Sequence, residues 1–356
     1  MEQHNKLDFS DQSIYIGLDI HRKSWTVSIY TQDFEHKTFS QNPDPKLLVN
    51  YLYRNFPGAN YYSVYEAGYC GFWIHEALKK QGINNMVVNP ADVPTKDKER
   101  KRKTNRVDCR KLAQSLRAGV LDPIYIPERL ALEDRSLIRA RGSAVKHQTR
   151  LKNQIKGMLC FYGVTIPEHF NHGSWSGHFI RWLESISMKN STGTDTLQFY
   201  IDELKHYRTV IASLNRKIRA LAKTDRYRDQ VVHLTSIPGI GIITAMILLV
   251  ELVDINRFRT LDHLASFVGL VPGEHSSGDD DTTTGITPRS HHYLRSILIE
   301  CAWVAVRKDP ALTMCYQQLI RHMIGQKAII HIAKKLLNRT RYVLKNNQPY
   351  VLAVIE

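Results

Sequence analysis

The stretch IYIGLD, residues 14–19, is a short apolar run that ends in the carboxylate of Asp19. Its length and its polar borders predict a buried β-strand. Four more strand-like runs follow in the first third of the chain, at residues 25–30, 37–41, 61–65 and 85–88. Helical spacing fills two of the intervals between them, at residues 45–56 and 72–81. Strands that adjoin and then alternate with helices predict an α/β domain that ends near Pro127.

Beyond that domain the apolar spacing is helical. Residues 130–162 place an apolar side chain at every seventh position, and residues 197–221 do so at two positions of each heptad. The second pattern is typical of a coiled-coil seam, although ordinary helix packing produces it as well. The stretches 173–177 and 189–196 are predicted as loops. We predict three parts: an α/β domain over 1–127, a coiled-coil linker or oligomerisation region over 128–226, and a mostly helical domain over 227–356.

The composition favours a polyanionic partner. The 356 residues include 49 Lys and Arg against 34 Asp and Glu, a formal net charge of +15. Such an excess indicates nucleic acid ahead of a membrane surface. The longest apolar run, residues 242–250, is far short of the roughly 20 residues that span a membrane, and residues 1–13 lack the apolar core of a secretory signal. The five cysteines are odd in number and widely spread, which argues against disulfides or a zinc knuckle and fits a reducing cytoplasm.

Acidic residues mark the ends of two predicted strands and the basic stretch that follows them. Asp19 ends the first strand, Glu66 ends a later one, and Asp108 lies in KTNRVD, residues 103–108. Acidic groups at neighbouring strand ends can converge, and two or more carboxylates bind Mg²⁺, which keeps waters for a phosphate substrate. Paired ions of this kind serve phosphoryl transfer. The alternative is that these residues are helix caps or salt-bridge partners.

Two basic tracts add to this pattern, and the first of them abuts Asp108. Residues 96–111 hold nine basic and three acidic side chains, and residues 135–156 hold seven basic side chains and no acid. A charge run is usually a solvated face, but two such tracts indicate a long or double nucleic-acid footprint. We expect nucleic-acid contacts from ten basic residues: Lys23, Lys101, Arg102, Lys103, Arg106, Arg139, Arg150, Lys152, Arg289 and Arg295.

The last third of the chain contains two further motifs. SIPGIG, residues 236–241, precedes an apolar helix and is interpreted equally well as the phosphate-binding turn of a helix-hairpin-helix or as a tight turn between packed helices. Ser277 precedes Gly278 in a predicted exposed loop. It is a candidate nucleophile, although Ser-Gly pairs are common in loops. The acidic residues 279–281 are predicted as a solvated turn, with a metal role as the alternative.

Taken in their order along the chain, these motifs resemble those of the DEDD insertion-sequence transposases, a family that includes the Piv pilin-gene invertase. The motifs that carry the resemblance are IGLD (16–19) with Lys23, YEAG (65–68), NP (89–90), KTNRVD (103–108), SIPGIG (236–241), GLVP (269–272), SG (277–278) and YLR (293–295). The ordered set spans residues 14 to 345, and it is the order that makes it specific.

The resemblance implies a RuvC-like N-terminal domain with an RNase H fold, and a mostly helical C-terminal transposase domain. The four acidic positions of the family fall on Asp19, Glu66, Asn105 and Asp108, which would hold Mg²⁺ as two ions. Ser277 would be the nucleophile that forms a covalent serine–DNA phosphodiester.

The resemblance also implies partners. A noncoding bridge RNA would pair with donor and target DNA. Ser277 of one subunit would complete the carboxylate site of another, in a dimer or in a tetramer built as a dimer of dimers. The expected setting is the cytoplasm of a bacterial or archaeal cell, at the nucleoid and away from membranes.

One position departs from the family pattern, because Asn105 stands where Asp is usual. Its amide oxygen can still serve as a neutral ligand, but one negative charge is missing from the metal site. Two other functions stay open: a RuvC-like metal-dependent nuclease that uses water and never uses Ser277, and an inactivated relative, marked by Asn105, that binds nucleic acid. A covalent protein–DNA adduct distinguishes the transposase from both.

Overall fold

The computed structural model describes residues 8–94, 104–170, 174–277, 280–286 and 290–352, and between 272 and 286 it describes the backbone alone. The chain divides into two units, Met1–Ile126 and Pro127–Glu356. The predicted middle region, 128–226, lies within the second unit, so its separation from 227–356 stays a prediction. In the part of the chain that the structure describes, no helix combines the length and apolarity that crossing a membrane requires.

A five-stranded sheet forms the centre of the first unit. Its strands are β1 (Ser13–Ile20), β2 (Trp25–Tyr30), β3 (Glu35–Gln41), β4 (Asn60–Glu66) and β5 (Asn84–Val88). Their spatial order is β3-β2-β1-β4-β5, with β1 antiparallel to β2 and parallel to β4, which is in turn parallel to β5. Because β1 is central and covered on both faces, it is apolar almost throughout. The predicted α/β class is confirmed.

Among the described residues of the first unit, three helices cover this sheet: α1 (Pro45–Asn55), α2 (Trp73–Lys80) and α3 (Asn105–Arg117). Asp44 caps α1, because its side chain accepts a hydrogen bond from the Lys46 amide at 2.9 Å and Pro45 fits the first helical position. Leucines of α1 and α2 share one apolar cluster with Ile14, Ile16 and Leu18 of β1. The third helix packs against β1 and β2, which sets the position of its first turn.

The second unit begins with a hairpin of long helices, α4 (Arg129–Phe161) and α6 (Ser191–Leu221), joined through the shorter α5 (Gly177–Glu184). The two long helices pack along each other, as the heptad spacing predicts. The predicted loop over 189–196 is wrong, because α6 already begins at Ser191. Hydroxyl groups explain the helical start: Thr194 Oγ1 accepts from the Met188 amide at 2.9 Å, and Thr196 Oγ1 donates to the Thr192 carbonyl at 2.7 Å.

The apolar seam of α6 is wider than a two-helix coiled coil requires. Leu197, Leu204 and Ile218 of the predicted seam are buried, and Ile201, which lies outside it, is buried as well. Ile201 belongs to an apolar cluster that includes Leu183 of α5. The shorter helix α5 therefore packs against α6 as well. This part of α6 shows both the coiled-coil seam and the ordinary helix packing that the sequence left open.

As far as the structure describes it, the rest of the second unit consists of helices and one hairpin of strands. Its helices are α7 (Arg228–Thr235), α8 (Ile242–Leu252), α9 (Leu261–Val268), α10 (His292–Lys308), α11 (Pro310–Leu319) and α12 (Gly325–Asn346). The predicted loop is wrong over 273–277 and the predicted turn is wrong at 280–281, because the antiparallel strands β6 (Pro272–Ser277) and β7 (Asp280–Ile286) occupy these positions. Three consecutive threonines, 282–284, favour a strand there. Gly278 and Asp279 lie outside the described residues.

Candidate functional site

The four residues at the family's acidic positions line one cavity of about 190 Å³ in the first unit. Asp19 comes from the end of β1, Glu66 from the end of β4, and Asn105 and Asp108 from the first turn of α3. We call this space the acidic cavity. Residues from three distant stretches of sequence meet there, as the strand-end argument predicts.

The topology explains why these side chains meet. Strands β1 and β4 are parallel neighbours, and Leu18 pairs with Tyr65, so Asp19 and Glu66 both follow the last shared register position. Asn105 and Asp108 are three residues apart and therefore share one face of α3. Thr104 starts that helix by accepting the Val107 amide at 3.4 Å. The partial positive charge of the helix N-terminus also favours a carboxylate in this turn.

A glycine of β1 brings α3 to the cavity. A Cβ atom on Gly17 would lie 2.0 Å from the carbonyl oxygen of Cys109 and 2.6 Å from the amide nitrogen of Ala113. Side-chain carbon atoms do not approach backbone atoms so closely, so only glycine permits this contact. The helix backbone rests directly on the strand, and Asp108 stands one residue from the point of contact.

The electrostatics around Asp19 are mixed. Its Oδ2 lies 3.2 Å from Nε2 of the exposed His21. On the other side, burial and then the charge of Asp19 raise the pKa of the buried Cys109 thiol to about 12. The thiol therefore stays protonated and neutral, and it does not compete with the carboxylates for a cation.

The donor chemistry of the acidic cavity suits a hard divalent ion, since three carboxylates and one amide offer only oxygen ligands toward it. The possible ligands are, however, too widely spaced to form a closed metal site. Among the described residues no three His, Cys, Asp or Glu side chains lie close enough together to hold a metal ion. Mg²⁺ is commonly held by one or two carboxylates together with waters and substrate phosphates. The cavity fits that mode better than a closed protein cage.

A polar network behind α3 was not predicted. The Glu35 carboxylate of β3 accepts hydrogen bonds from Arg110 Nε at 2.8 Å and from Thr38 Oγ1 at 2.7 Å. It also accepts one from the Tyr30 hydroxyl at 3.1 Å, which itself accepts from Gln114 at 2.9 Å. Burial acts to raise the pKa of Glu35, but these hydrogen bonds and the Arg110 charge lower it overall. Arg110, one of the nine basic residues of the first tract, thus fastens α3 to the sheet.

A second unpredicted network surrounds Glu251 of α8, whose side chain is almost completely buried. Arg139 of α4 donates to both of its oxygens, each at 2.8 Å. His291 Nδ1 accepts from the Leu294 amide, so Nε2 carries the proton and donates to Glu251 at 3.1 Å. Burial acts to raise the pKa of Glu251, but the hydrogen bonds from His291 and Arg139 and the positive charge of Arg139 lower it to about 2.

The predicted nucleic-acid contacts have different surroundings. Lys23, Arg106 and Arg150 are exposed. Lys152 lies over the Trp175 ring at 5.8 Å, and burial together with the nearby Arg208 lowers its pKa. Arg139 pairs with Glu251, and Arg295 contacts His292 Nδ1 at 2.6 Å. Four predicted contacts lie outside the described residues: Lys101, Arg102, Lys103 and Arg289.

Two C-terminal motifs take definite places in the backbone. Ser277 is the last residue of β6 and pairs with Asp280, the first residue of β7. In SIPGIG, Gly239 has a φ of +94°, and a Cβ atom there would lie 2.5 Å from the Cys301 carbonyl oxygen of α10. That contact favours the tight-turn interpretation for Gly239. Gly241, with open space around it, precedes α8.

Comparison with known protein families gives a transposase match to two separate stretches of the chain. A transposase model of the DEDD type found with IS110 elements matches residues 16–163. A second model, described as the transposase IS116/IS110/IS902 family, matches residues 232–317.

Three relatives illustrate the range of similarity. The transposase-type protein y4qE of Sinorhizobium fredii is 31% identical over 68% of this chain, which spans 58% of that protein. The transposase of insertion sequence element IS1111A from Coxiella burnetii is 26% identical over 71% of this chain and 69% of its own length. The pilin gene-inverting protein of Moraxella bovis is 29% identical over 46% of this chain and 53% of its own length.

Proposed function

Because this chain belongs to the IS116/IS110/IS902 family of transposases, we propose that it is the recombinase of an insertion sequence, cutting and rejoining DNA strands. The observation that carries the proposal is the acidic cavity, since Asp19, Glu66 and Asp108 reach it from three separate stretches of sequence. A DEDD-type transposase domain also suggests dependence on a divalent metal.

The acidic cavity would act on the scissile phosphate. Asp19 and Glu66, from neighbouring strand ends, would supply carboxylate oxygens, and Asn105 would add a neutral amide oxygen beside Asp108. A divalent ion held by these groups supplies a Lewis acid for phosphoryl transfer, and Mg²⁺, as two ions, is the form that the family resemblance implies. The exposed His21 beside Asp19 adds a donor that can reach a phosphate oxygen at the mouth of the cavity.

Ser277 would supply the nucleophile. Its hydroxyl oxygen would bond to phosphorus as the bond from phosphorus to the leaving deoxyribose oxygen breaks, and the serine proton would end on the leaving oxygen or in solvent. Attack by a DNA hydroxyl on the serine ester would then restore Ser277 and complete the exchange. An alcohol needs activation for such an attack, so the acidic cavity and Ser277 must act on the same phosphate, within one chain or between two.

A bridge RNA and a homo-oligomer belong to the same proposal. The net charge of +15 and the exposed Arg106 and Arg150 provide for contacts with phosphate backbones beyond a single duplex. The α4–α6 hairpin offers long helical surfaces through which copies of the chain could associate.

The test is a search for the covalent adduct. Labelled DNA spanning the junction of the element is incubated with the full chain, Mg²⁺ and RNA transcribed from the flanking noncoding DNA, and retention of label on denatured protein is measured. We expect an adduct with the wild type and with Ser276→Ala, and none with Ser277→Ala, Asp19→Ala or a chelator.

The other outcomes favour other functions. Cleavage without an adduct would favour the water-using nuclease, and DNA binding without cleavage would favour the inactive relative. An adduct formed equally well without the RNA would support the recombinase function and contradict guidance by an RNA.

A further inference from the structure

The loop that joins β4 to α2 forms one wall of the acidic cavity and is fastened at several points. The Ala67 amide donates to the Val88 carbonyl at 2.8 Å, and the Gly71 amide donates to the Gly68 carbonyl at 3.2 Å. The buried Tyr65 donates its hydroxyl to the Gly71 carbonyl at 3.0 Å. These contacts attach the loop to the neighbouring strands β4 and β5 and close its turn.

Two large aromatic rings stand out from this fixed segment. Tyr69 lines the acidic cavity, yet 71% of its surface is exposed, and Trp73 at the start of α2 is 52% exposed. The Tyr69 hydroxyl donates to the Ile20 carbonyl at 3.3 Å. The Trp73 ring lies 6.4 Å from the buried Trp25 ring. Both rings are therefore held in place while much of their surface faces solvent.

The two anchors bracket a basic turn. Ile20 precedes residues 21–24 and Trp25 follows them, so Tyr69 is fixed to one side of this turn and Trp73 to the other. His21, Arg22 and Lys23 of the turn are all exposed. We call Tyr69 and Trp73 the aromatic pair. Aromatic rings next to cations form the usual binding surface for single-stranded nucleic acid, because bases stack on the rings while the cations follow the phosphates.

We propose that the aromatic pair receives an unpaired base of the DNA strand whose phosphate enters the acidic cavity. The inference rests on the proposed function, and it adds that the strand must be locally open at the site of cleavage. A base within a duplex has no free face to stack on Tyr69. The basic turn would hold the backbone, and the aromatic pair would fix the nucleotide beside the scissile phosphate.

The test measures binding without requiring cleavage. A short oligonucleotide with a single 2-aminopurine is titrated with the full chain in Ca²⁺ buffer, both as a single strand and as a closed duplex, and fluorescence quenching and affinity are recorded. Tyr69→Ala removes the ring, and Tyr69→Phe keeps the ring but not the hydroxyl. Tyr53→Ala is the matched control, because Tyr53 is also an exposed tyrosine whose hydroxyl donates to a backbone carbonyl, that of Gln81, and it does not line the acidic cavity.

We expect Tyr69→Ala to weaken single-strand binding by about 5- to 150-fold, the usual range for loss of one stacked base, and to abolish the quenching. Tyr69→Phe should quench as the wild type does, and Tyr53→Ala should bind normally. Duplex binding should change by less than about twofold in every variant. Equal melting temperatures of the two alanine variants would exclude misfolding as the cause.

Two results would overturn the inference: wild-type quenching by Tyr69→Ala, or equal losses on single strand and duplex. Failure of the proposed function is a separate outcome. If the wild type forms no adduct and cleaves nothing but still quenches through Tyr69, the stacking site stands and the recombinase does not. If the adduct forms and Tyr69→Ala binds the single strand normally, only the stacking site fails.

Discussion

Replacing Gly17 by alanine should separate α3 from β1 and disable the acidic cavity. The new Cβ atom would meet the Cys109 carbonyl oxygen at 2.0 Å, where ordinary contacts begin at 3.4 Å. The helix backbone must therefore retreat by about 1.4 Å, since neither partner is a side chain that can rotate away. Overpacking of this kind costs about 1–3 kcal/mol of unfolding free energy. A displacement of about 1 Å at a reacting centre costs on the order of 100-fold in rate.

The assay compares adduct formation with thermal unfolding for Gly17→Ala and for a matched control. Gly157→Ala in α4 makes the same chemical change where a Cβ atom meets nothing within 4 Å, and alanine is the better helix former. We expect Gly17→Ala to stay folded, to melt several degrees lower and to form adduct about 100-fold more slowly, while Gly157→Ala keeps its rate and is at least as stable as the wild type. A wild-type rate for Gly17→Ala would refute the close contact between strand and helix.

Three further predictions concern the metal, the buried charge and the assembly. Asn105→Asp restores a negative charge to the acidic cavity and should lower the Mg²⁺ concentration for half-maximal adduct formation; an unchanged requirement would mean that the amide already serves as a ligand. Because the folded-state pKa of Glu251 is lowered from 4.5 to about 2, its contribution of about 3 kcal/mol is present above pH 5 and is lost as pH falls toward 2. The melting-temperature difference between wild type and Glu251→Gln should shrink over that range, and a constant difference would contradict the assignment. A mixture of Asp19→Ala and Ser277→Ala chains should regain adduct if the site forms between subunits; no adduct from verified mixed oligomers would assign it to single chains.

The acidic cavity was predictable because strand ends are visible in sequence. An apolar run that stops at Asp19 and another that stops at Glu66 predict two strand ends, and acidic groups at neighbouring strand ends can converge. That the two strands are parallel neighbours became clear only from the structure. Asn105, in the first turn of α3, needed the family resemblance, since an amide side chain in a basic stretch gives no local sign of a metal site. Nothing local in the sequence indicates that this helix crosses β1 at Gly17.

Long-range polar contacts escaped prediction for a different reason. Glu35 and Arg110 are 75 positions apart, and Arg139 and Glu251 are 112 positions apart. No periodicity connects such pairs, so each arginine looks like one more surface cation in a basic tract. The β6–β7 hairpin was missed because Gly, Ser and Asp outnumber its apolar residues, and only the threonines at 282–284 favour a strand.

The acidic cavity and the region next to the Ser277 hairpin are stabilised by different kinds of contact. The acidic cavity depends on an absent side chain, because Gly17 lets one backbone rest on another. At His291, five residues after β7, the chain is held by buried charge instead, because His291 donates to Glu251 and Arg139 of α4 donates to the same carboxylate. A glycine contact tolerates no enlargement but is indifferent to pH, whereas a buried, ion-paired carboxylate loses its charged hydrogen bonds on protonation. Acid should therefore weaken the Glu251 network as pH falls toward 2, whereas the contact between Gly17 and the α3 backbone contains no titratable group that acid could change.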